Sequence, residues 1–472
     1  MSGFFRNLKT RAAHVLLGGS WGSLKPLYIS ALLIAWPAAF EGLLISLTSS
    51  VDIMMVGTIS PAAIAAVGLT AQPRLIMLII VQALNIGTTA LVARRKGAGD
   101  EAGVCSCLHQ SMYISFFVGL SITLLAYLLA EPFMRLAGAN DETLGMAVGY
   151  YRIIALGFIP TSLQLSVCAA FRGLGKTKVT LATHLMSNVV NIILNFLLIG
   201  GRLGFPRLEV RGAAIATTLG SAAAFIASIW FASRADSPFH FRLRKPAFDK
   251  VTLSSLWKVG GSSIVEHGGL RLGFFITNAI IASLGTVVFA SFHIVSQISS
   301  LSFTLGDGIA AAGVAMVGQS LGAGKEEWAR RAVMVTRRIS IMVSLVLMVL
   351  LFSLRRGIAS LFTADKAVIA AASAGLLVVI PALLFQNGRV VYAGCLRGAG
   401  DVRFVAFTSL TGVTILRPLL TWLFCYYLAP LVPALQLGIT GPWFSFLLDA
   451  IYRNKLLAGR VKGGKWTQVR LK

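Results

Sequence analysis

Apolar runs of eighteen or more residues recur along the chain from about residue 27 to about residue 450, separated by short polar connectors. A helix needs roughly 20 such residues to cross a bilayer. The pattern therefore predicts spans near 27–56, 62–93, 105–130, 143–169, 179–200 and 211–233. After a polar connector, six more are expected near 251–283, 287–321, 331–354, 367–396, 403–428 and 437–459. Several exceed the crossing length, so tilt, kinks or protruding ends are expected. Roughly ten-residue segments of alternating hydrophobicity, the mark of an outer-membrane barrel, are absent from the sequence. The expected fold class is an all-α polytopic membrane protein with 12 transmembrane helices.

The pattern repeats. A shift of 225 residues lays LVARRKGAGDE from Leu91 on MVGQSLGAGKEE from Met316, and FRGLGKT from Phe171 on LRGAGDV from Leu396. The same shift puts Glu41 on Glu266 and Arg172 on Arg397. Near the ends VRGAAIAT from Val210 resembles ITGPWFSF from Ile439, at a shift of 229. An even number of helices separates the copies, so two six-helix lobes of like topology are expected, related about the membrane normal and enclosing a central site. The division is residues 1–25 as a lead-in, 26–233 as the N-lobe, 234–250 as a connector, 251–461 as the C-lobe and 462–472 as a basic tail. The GAG and RGxG pieces read as tight turns closing helices, where glycine tolerates positive φ. A phosphate-binding reading fails, because neither follows a strand and no GxxxxGK[ST] occurs.

Composition fits this picture: of 472 residues, 56% are hydrophobic and 12% charged. A net charge of +25 would suggest nucleic acid in a soluble chain, but here the basic residues cluster in the connectors. With the N-terminus inside, 29 Lys and Arg fall on the cytoplasmic side against 8 outside, so both termini are expected in the cytoplasm of a cell whose inner membrane holds the chain. No cleavable signal peptide stands out. The five cysteines lack paired spacing, and neither a disulfide framework nor a metal site is indicated. No clustered nucleophile or His/Asp/Glu constellation suggests catalysis, so an integral membrane enzyme is the remotest alternative, and a passive channel lacks a selectivity-filter motif.

Candidate chemistry lies in the polar residues at membrane depth, which are costly and usually face a pathway. On the first span Glu41 and Asp52 are eleven residues apart. That is about 20° from a whole number of turns and roughly 16 Å along the axis, so they share one stripe. Desolvation favours the neutral form of a carboxyl group, which suits a proton carrier; snorkelling to the outer interface is the alternative for Asp52. On the fifth span Asn191 and Asn195 lie one turn apart, either facing the first helix together or serving as helix–helix glue. Arg74 and Arg417 each sit beside a proline near a membrane face, where snorkelling accounts for them.

PAAFEGLLISLTSSVDIMMVG, FRGLGKTK, SNVVNIILNFLLIGG, VRGAAIAT, VGQSLGAGKEE and CLRGAGD, in this order, resemble the multidrug and toxic compound extrusion (MATE) family, NorM/DinF-like branch, over residues 25 to 466. The resemblance implies a cofactor-free secondary antiporter exporting amphipathic, mostly cationic small molecules against an inward cation, with H⁺ favoured over Na⁺. Its partners would be those compounds and the lipid bilayer, without nucleic acid, and a monomer is expected. Asp52 matches the family's first-helix aspartate, Asn191 and Asn195 an amide-lined pocket beside it, and Thr217 a weaker member. Glu266 matches a seventh-helix glutamate implicated in coupling. Gln386, Asn387 and Arg389 stand where part of the branch has an aspartate serving Na⁺, a departure that speaks against Na⁺. Asp307 calls for a counter-ion such as Arg271 or Arg389. Glu41 is expected to belong to the duplicated architecture facing the central cavity. Alternatives are a Na⁺-coupled exporter or a flippase for lipid-linked precursors, which would need several arginines to hold pyrophosphate.

Overall fold

The computed structural model describes residues 21–234, 237, 239, 249–432 and 435–469. Most of the expected lead-in and connector, and the end of the tail, lie outside the described residues. Helices joined by short turns and loops make up the rest. The first half comprises α1 (Trp21–Gly57), α2 (Pro61–Leu69), α3 (Ala71–Gly97), α4 (Glu101–Leu128), α5 (Ala130–Leu136), α6 (Asp141–Leu156), α7 (Phe158–Gly173), α8 (Thr177–Leu198) and α9 (Glu209–Ser233). The second comprises α10 (Lys250–Ala282), α11 (Thr286–Gly322), α12 (Glu326–Ser360), α13 (Lys366–Ala399), α14 (Val402–Ser409), α15 (Arg417–Trp422) and α16 (Leu437–Lys462). The eleventh span, 403–428, alternates α14 and α15 with two π-helical stretches, Leu410–Leu416 and Leu423–Leu428.

These elements coincide with the twelve predicted spans. Among the described residues nine helical stretches are long and apolar enough to cross a membrane, and the pair α6–α7 makes a tenth span bent by 43°. The bend falls at Gly157, three residues before Pro160, whose missing N–H cannot bond the carbonyl of Leu156. The helices α10 and α16, 33 and 26 residues long, occupy the places of the seventh and twelfth predicted spans. Starts follow from local chemistry: the Ser60 hydroxyl accepts from the Ala63 N–H with Pro61 at the first helical position, and Asn140 and Thr143 form a reciprocal capping box. The repeated glycines close helices as expected, with φ of +73° at Gly99 and +70° at its mate Gly324, and +76° at Gly175 and +89° at Gly400.

Two compact units emerge. One takes the chain through Ala39 together with Val265–Val469, and the other takes Phe40–Ile264. The helices α1 and α10 are thus each divided, half in one unit and half in the other. We call them the C-unit and the N-unit.

Candidate functional site

In the N-unit, the second half of α1 runs along α8 with polar side chains between them. Asn188 reaches the Leu44 carbonyl at 3.5 Å, between two denser sites. At one end Glu41 accepts from Arg172 at 2.8 Å and Thr180 at 2.6 Å, with His184 at 3.2 Å. At the other, Asn195 Nδ2 donates to Asp52 Oδ1 at 2.7 Å. The eleven residues from Glu41 to Asp52 are matched by eleven from His184 to Asn195, so both carboxylates of the predicted stripe meet the same neighbour.

The Asp52 end is a directed chain of hydrogen bonds. Thr217 donates to the Ala213 carbonyl at 3.0 Å and accepts from Asn191 Nδ2 at 3.1 Å. Asn191 Oδ1 in turn accepts from Asn195 Nδ2 at 3.2 Å, the same group that reaches Asp52. Close packing sets this up. A Cβ on Gly220 would lie 2.9 Å from the Ser187 carbonyl, and one on Gly212 would lie 2.8 Å from that of Leu198, so α9 approaches α8 backbone to backbone. Asn195 is fully buried, and its Oδ1 has no donor.

Asp52 opens into a cavity of about 150 Å³, lined by Ser49, Thr70, Arg74 and Tyr150 among apolar neighbours. A second cavity of about 90 Å³ shares Arg74 and adds Thr161, Thr217 and Ser221. The expectation that Arg74 snorkels is therefore corrected: its guanidinium is the charged neighbour of Asp52, and Tyr150 lies against it. The signal was present in the sequence, since an arginine inside an apolar run is a functional candidate by default.

Glu41 differs from the expectation of a cavity-facing group. It is 5% exposed, and each of its oxygens has a partner. The C-unit repeats the arrangement: Glu266 Oε1 accepts from Arg397 at 2.8 Å and from Ser409 at 2.8 Å. The Glu–Arg separation is 131 residues in both halves, and that from Glu to His184 or Ser409 is 143. One donor is not repeated. Thr180 maps onto Val405, and Glu266 Oε2 is buried without a partner.

Elsewhere in the C-unit the expected counter-ion of Asp307 is not engaged. The Asp307 side chain is exposed and forms no ion pair within 4 Å among the described residues, while Arg271 is exposed on α10. Arg389 Nε instead donates to Gln386 Oε1 at 3.1 Å, and Asn387 Nδ2 to Ser344 at 3.0 Å. Arg417 does not snorkel: at 6% exposure it donates to Asp449 through Nε at 3.1 Å, and its guanidinium lies over the rings of Phe274 and Phe446. Arg453 closes on the same carboxylate, one turn along α16 as the spacing predicts.

A multi-pass helical bundle with hydrogen-bonded carboxylates at membrane depth belongs to the class of membrane transporters. The fold is matched by a solved chain described as the outward-facing conformation of a multidrug resistance MATE family transporter of the MOP superfamily, with a TM-score of 0.83 and 20% identity over 93% of this chain and 97% of that one. The chain belongs to the MatE family, whose sequence model matches it twice, over residues 37–197 and 264–423. It is similar to a probable multidrug resistance protein NorM from Thermotoga maritima, 26% identical over 440 residues covering 92% of each chain. It is also similar to the multidrug resistance protein PmpM of Pseudomonas aeruginosa, 29% identical over 422 residues, 88% of this chain and 84% of that one.

Proposed function

We propose that the chain is a secondary active multidrug efflux antiporter that exports amphipathic, mostly cationic compounds in exchange for protons, by rocking-type alternating access. Its place is the inner membrane, as a monomer with both termini cytoplasmic and no cofactor. The observation that carries the reading is the Asp52 end of the α1–α8 seam. A carboxylate held by a donor chain, beside a buried acceptor with no donor, has a place for one more proton: Asp52 in its neutral form has an O–H to offer, and Asn195 Oδ1 is a free acceptor close by. Sodium fits less well. It wants several oxygen ligands with negative charge, whereas Asp52 already accepts an N–H and has the Arg74 guanidinium in its cavity. Glu266, with one oxygen bare, is the second acceptor in this scheme.

Proton and drug then compete: a proton entering Asp52 from outside weakens the hold on a cation, and the effect is reciprocal. The test is ethidium efflux from everted vesicles under separately imposed pH and Na⁺ gradients. Acceleration by the pH gradient, lost in Asp52→Asn with membrane insertion intact, is the expected result. Acceleration by Na⁺ alone overturns the choice of ion, and unchanged efflux by Asp52→Asn removes Asp52 from the mechanism.

A further inference from the structure

Glu41 meets its partners where α7 turns into α8. Arg172 stands in the last turn of α7, Thr180 in the first turn of α8, and His184 one turn further on. The Arg172 side chain keeps 25% exposure, and a guanidinium at a helix end turns to water rather than to lipid. His184, at 12%, lies just behind it between two groups of opposite demand. Its Nε2 is 3.2 Å from Glu41 Oε1 and 3.3 Å from Gln164 Nε2. A carboxylate oxygen only accepts, so the contact with Glu41 needs a hydrogen on Nε2. An amide nitrogen only donates, so the contact with Gln164 needs Nε2 bare. The amide can turn its oxygen to the ring instead, so both forms of the ring are accommodated. Bare, Nε2 accepts from Gln164, and Glu41 keeps Arg172 and Thr180. In the charged ring Nε2 donates to Glu41, which then has two cations on one oxygen. Imidazole is the side chain that changes charge in the physiological range.

The other titratable groups on the helices around His184 are few. They are Glu41 and Asp52 on the N-unit half of α1, Cys168 and Arg172 on α7, and Lys178 on α8 itself. Helix α9 carries none from Gly212 to Ser233. Asp52 is eleven residues away along the seam, roughly 16 Å. Cys168 is buried against Thr183 and Gln164. Among the described residues Glu41 is thus the one carboxylate within 4 Å of His184. The repeat does not duplicate the arrangement, since His184 maps onto Ser409 and Gln164 onto Arg389. Ser409 holds Glu266 at 2.8 Å through a hydroxyl, which does not titrate. Both glutamates stand at matching places in the chain. It passes from the C-unit to the N-unit between Ala39 and Phe40, and back between Ile264 and Val265. Glu41 and Glu266 are each the second residue past a crossing.

We propose that His184 is a second proton-binding site of the N-unit, loaded from the cytoplasm, which slows exchange when it is occupied. The proposal rests on the antiport reading, which turns the Glu41 end to the cytoplasm and has α1 flex where it passes between the units. An occupied site gives α8 one more bond to α1 just past that crossing, and a charge-assisted bond is stronger than a neutral one. An acid cytoplasm thereby throttles the inward proton flow that would acidify it further.

The test measures ethidium transport into everted vesicles bearing the full-length protein, whose bath faces the cytoplasmic side. Bath pH is taken from about 8 to about 5, with the lumen kept more acid by a constant margin. His184→Ser supplies the residue that serves Glu266 in the C-unit, and Asp52 is common to both proteins. The ratio of wild-type to His184→Ser rates is expected to stay near one at the alkaline end and to fall about tenfold at the acid end. His184→Gln keeps an amide donor for Glu41 without titrating; it should give the same fall and serves as the comparison should the serine variant not fold. A ratio that holds steady across the range, the outcome for a purely structural contact, overturns this inference alone. So does a ratio that rises toward acid. Wild-type transport that a pH gradient does not drive overturns the antiport reading, and this inference with it.

Discussion

Replacing Arg172 by methionine leaves the Glu41 carboxylate at 5% exposure without its guanidinium, holding only His184 and Thr180. Removing one partner of a buried ion pair costs about 3–5 kcal/mol, because the remaining charge is uncompensated. The Arg172 side chain keeps 25% exposure, so the lower end applies, about 3 kcal/mol. Glu41→Gln with Arg172→Met removes both charges and should return to within about 1 kcal/mol of wild type. The cycle, completed by the single variant Glu41→Gln, should then show a coupling energy of at least about 2 kcal/mol, read from denaturation of the purified protein in detergent. Arg397→Met should behave like Arg172→Met, since Glu266 is 1% exposed and sits in the same repeated contact. A single variant within about 0.5 kcal/mol of wild type, or a coupling energy near zero, would refute the view that these pairs hold their units together.

Val405→Thr should supply Glu266 Oε2 with the hydroxyl that Thr180 gives Glu41, raising stability by about 0.5–1.5 kcal/mol while slowing proton-driven efflux; faster efflux would count against a coupling role for the bare oxygen. Gly220→Leu should drive α9 off α8 and separate Thr217 from Asn191, with efflux lost while the protein still inserts, as judged by surface expression against transport. Asp449→Asn should leave Arg417 and Arg453 facing each other and cost about 3–5 kcal/mol, measured in the same denaturation assay. Arg74→Gln should weaken discrimination against Na⁺ at Asp52, so that a Na⁺ gradient begins to drive ethidium efflux; an unaltered ion response would remove Arg74 from the site.

Much of the architecture was readable because it rests on one strong constraint, the need for apolar length. Span positions and the internal repeat follow from it, and so does the common face of Glu41 and Asp52, since helical periodicity alone decides it. The contacts were less readable. Arg172 lies 131 residues from Glu41, in a turn whose charge the bias of cytoplasmic loops explains equally well. The clue was that glutamate and arginine recur together at one shift, a coincidence that loop charge does not require. Arg417 was misread because a π-helical stretch precedes it, and an i+5 pattern turns side chains away from where a 3.6 period puts them. The repeat slips from a shift of 225 to 229 across the part of the chain that includes both π stretches. Asp307 was expected to find an internal partner because buried charges need one; it is exposed, so the premise did not apply.

The equal spacing of the two Glu–Arg contacts also bears on descent. A contact found at the same separation in both halves is most simply inherited from a six-helix ancestor that was copied end to end. The stabilising contact then predates the copying, whereas Asp52 against Thr277, Thr180 against Val405 and His184 against Ser409 are single-site differences laid over it. Each of these three can be reversed one residue at a time in the laboratory.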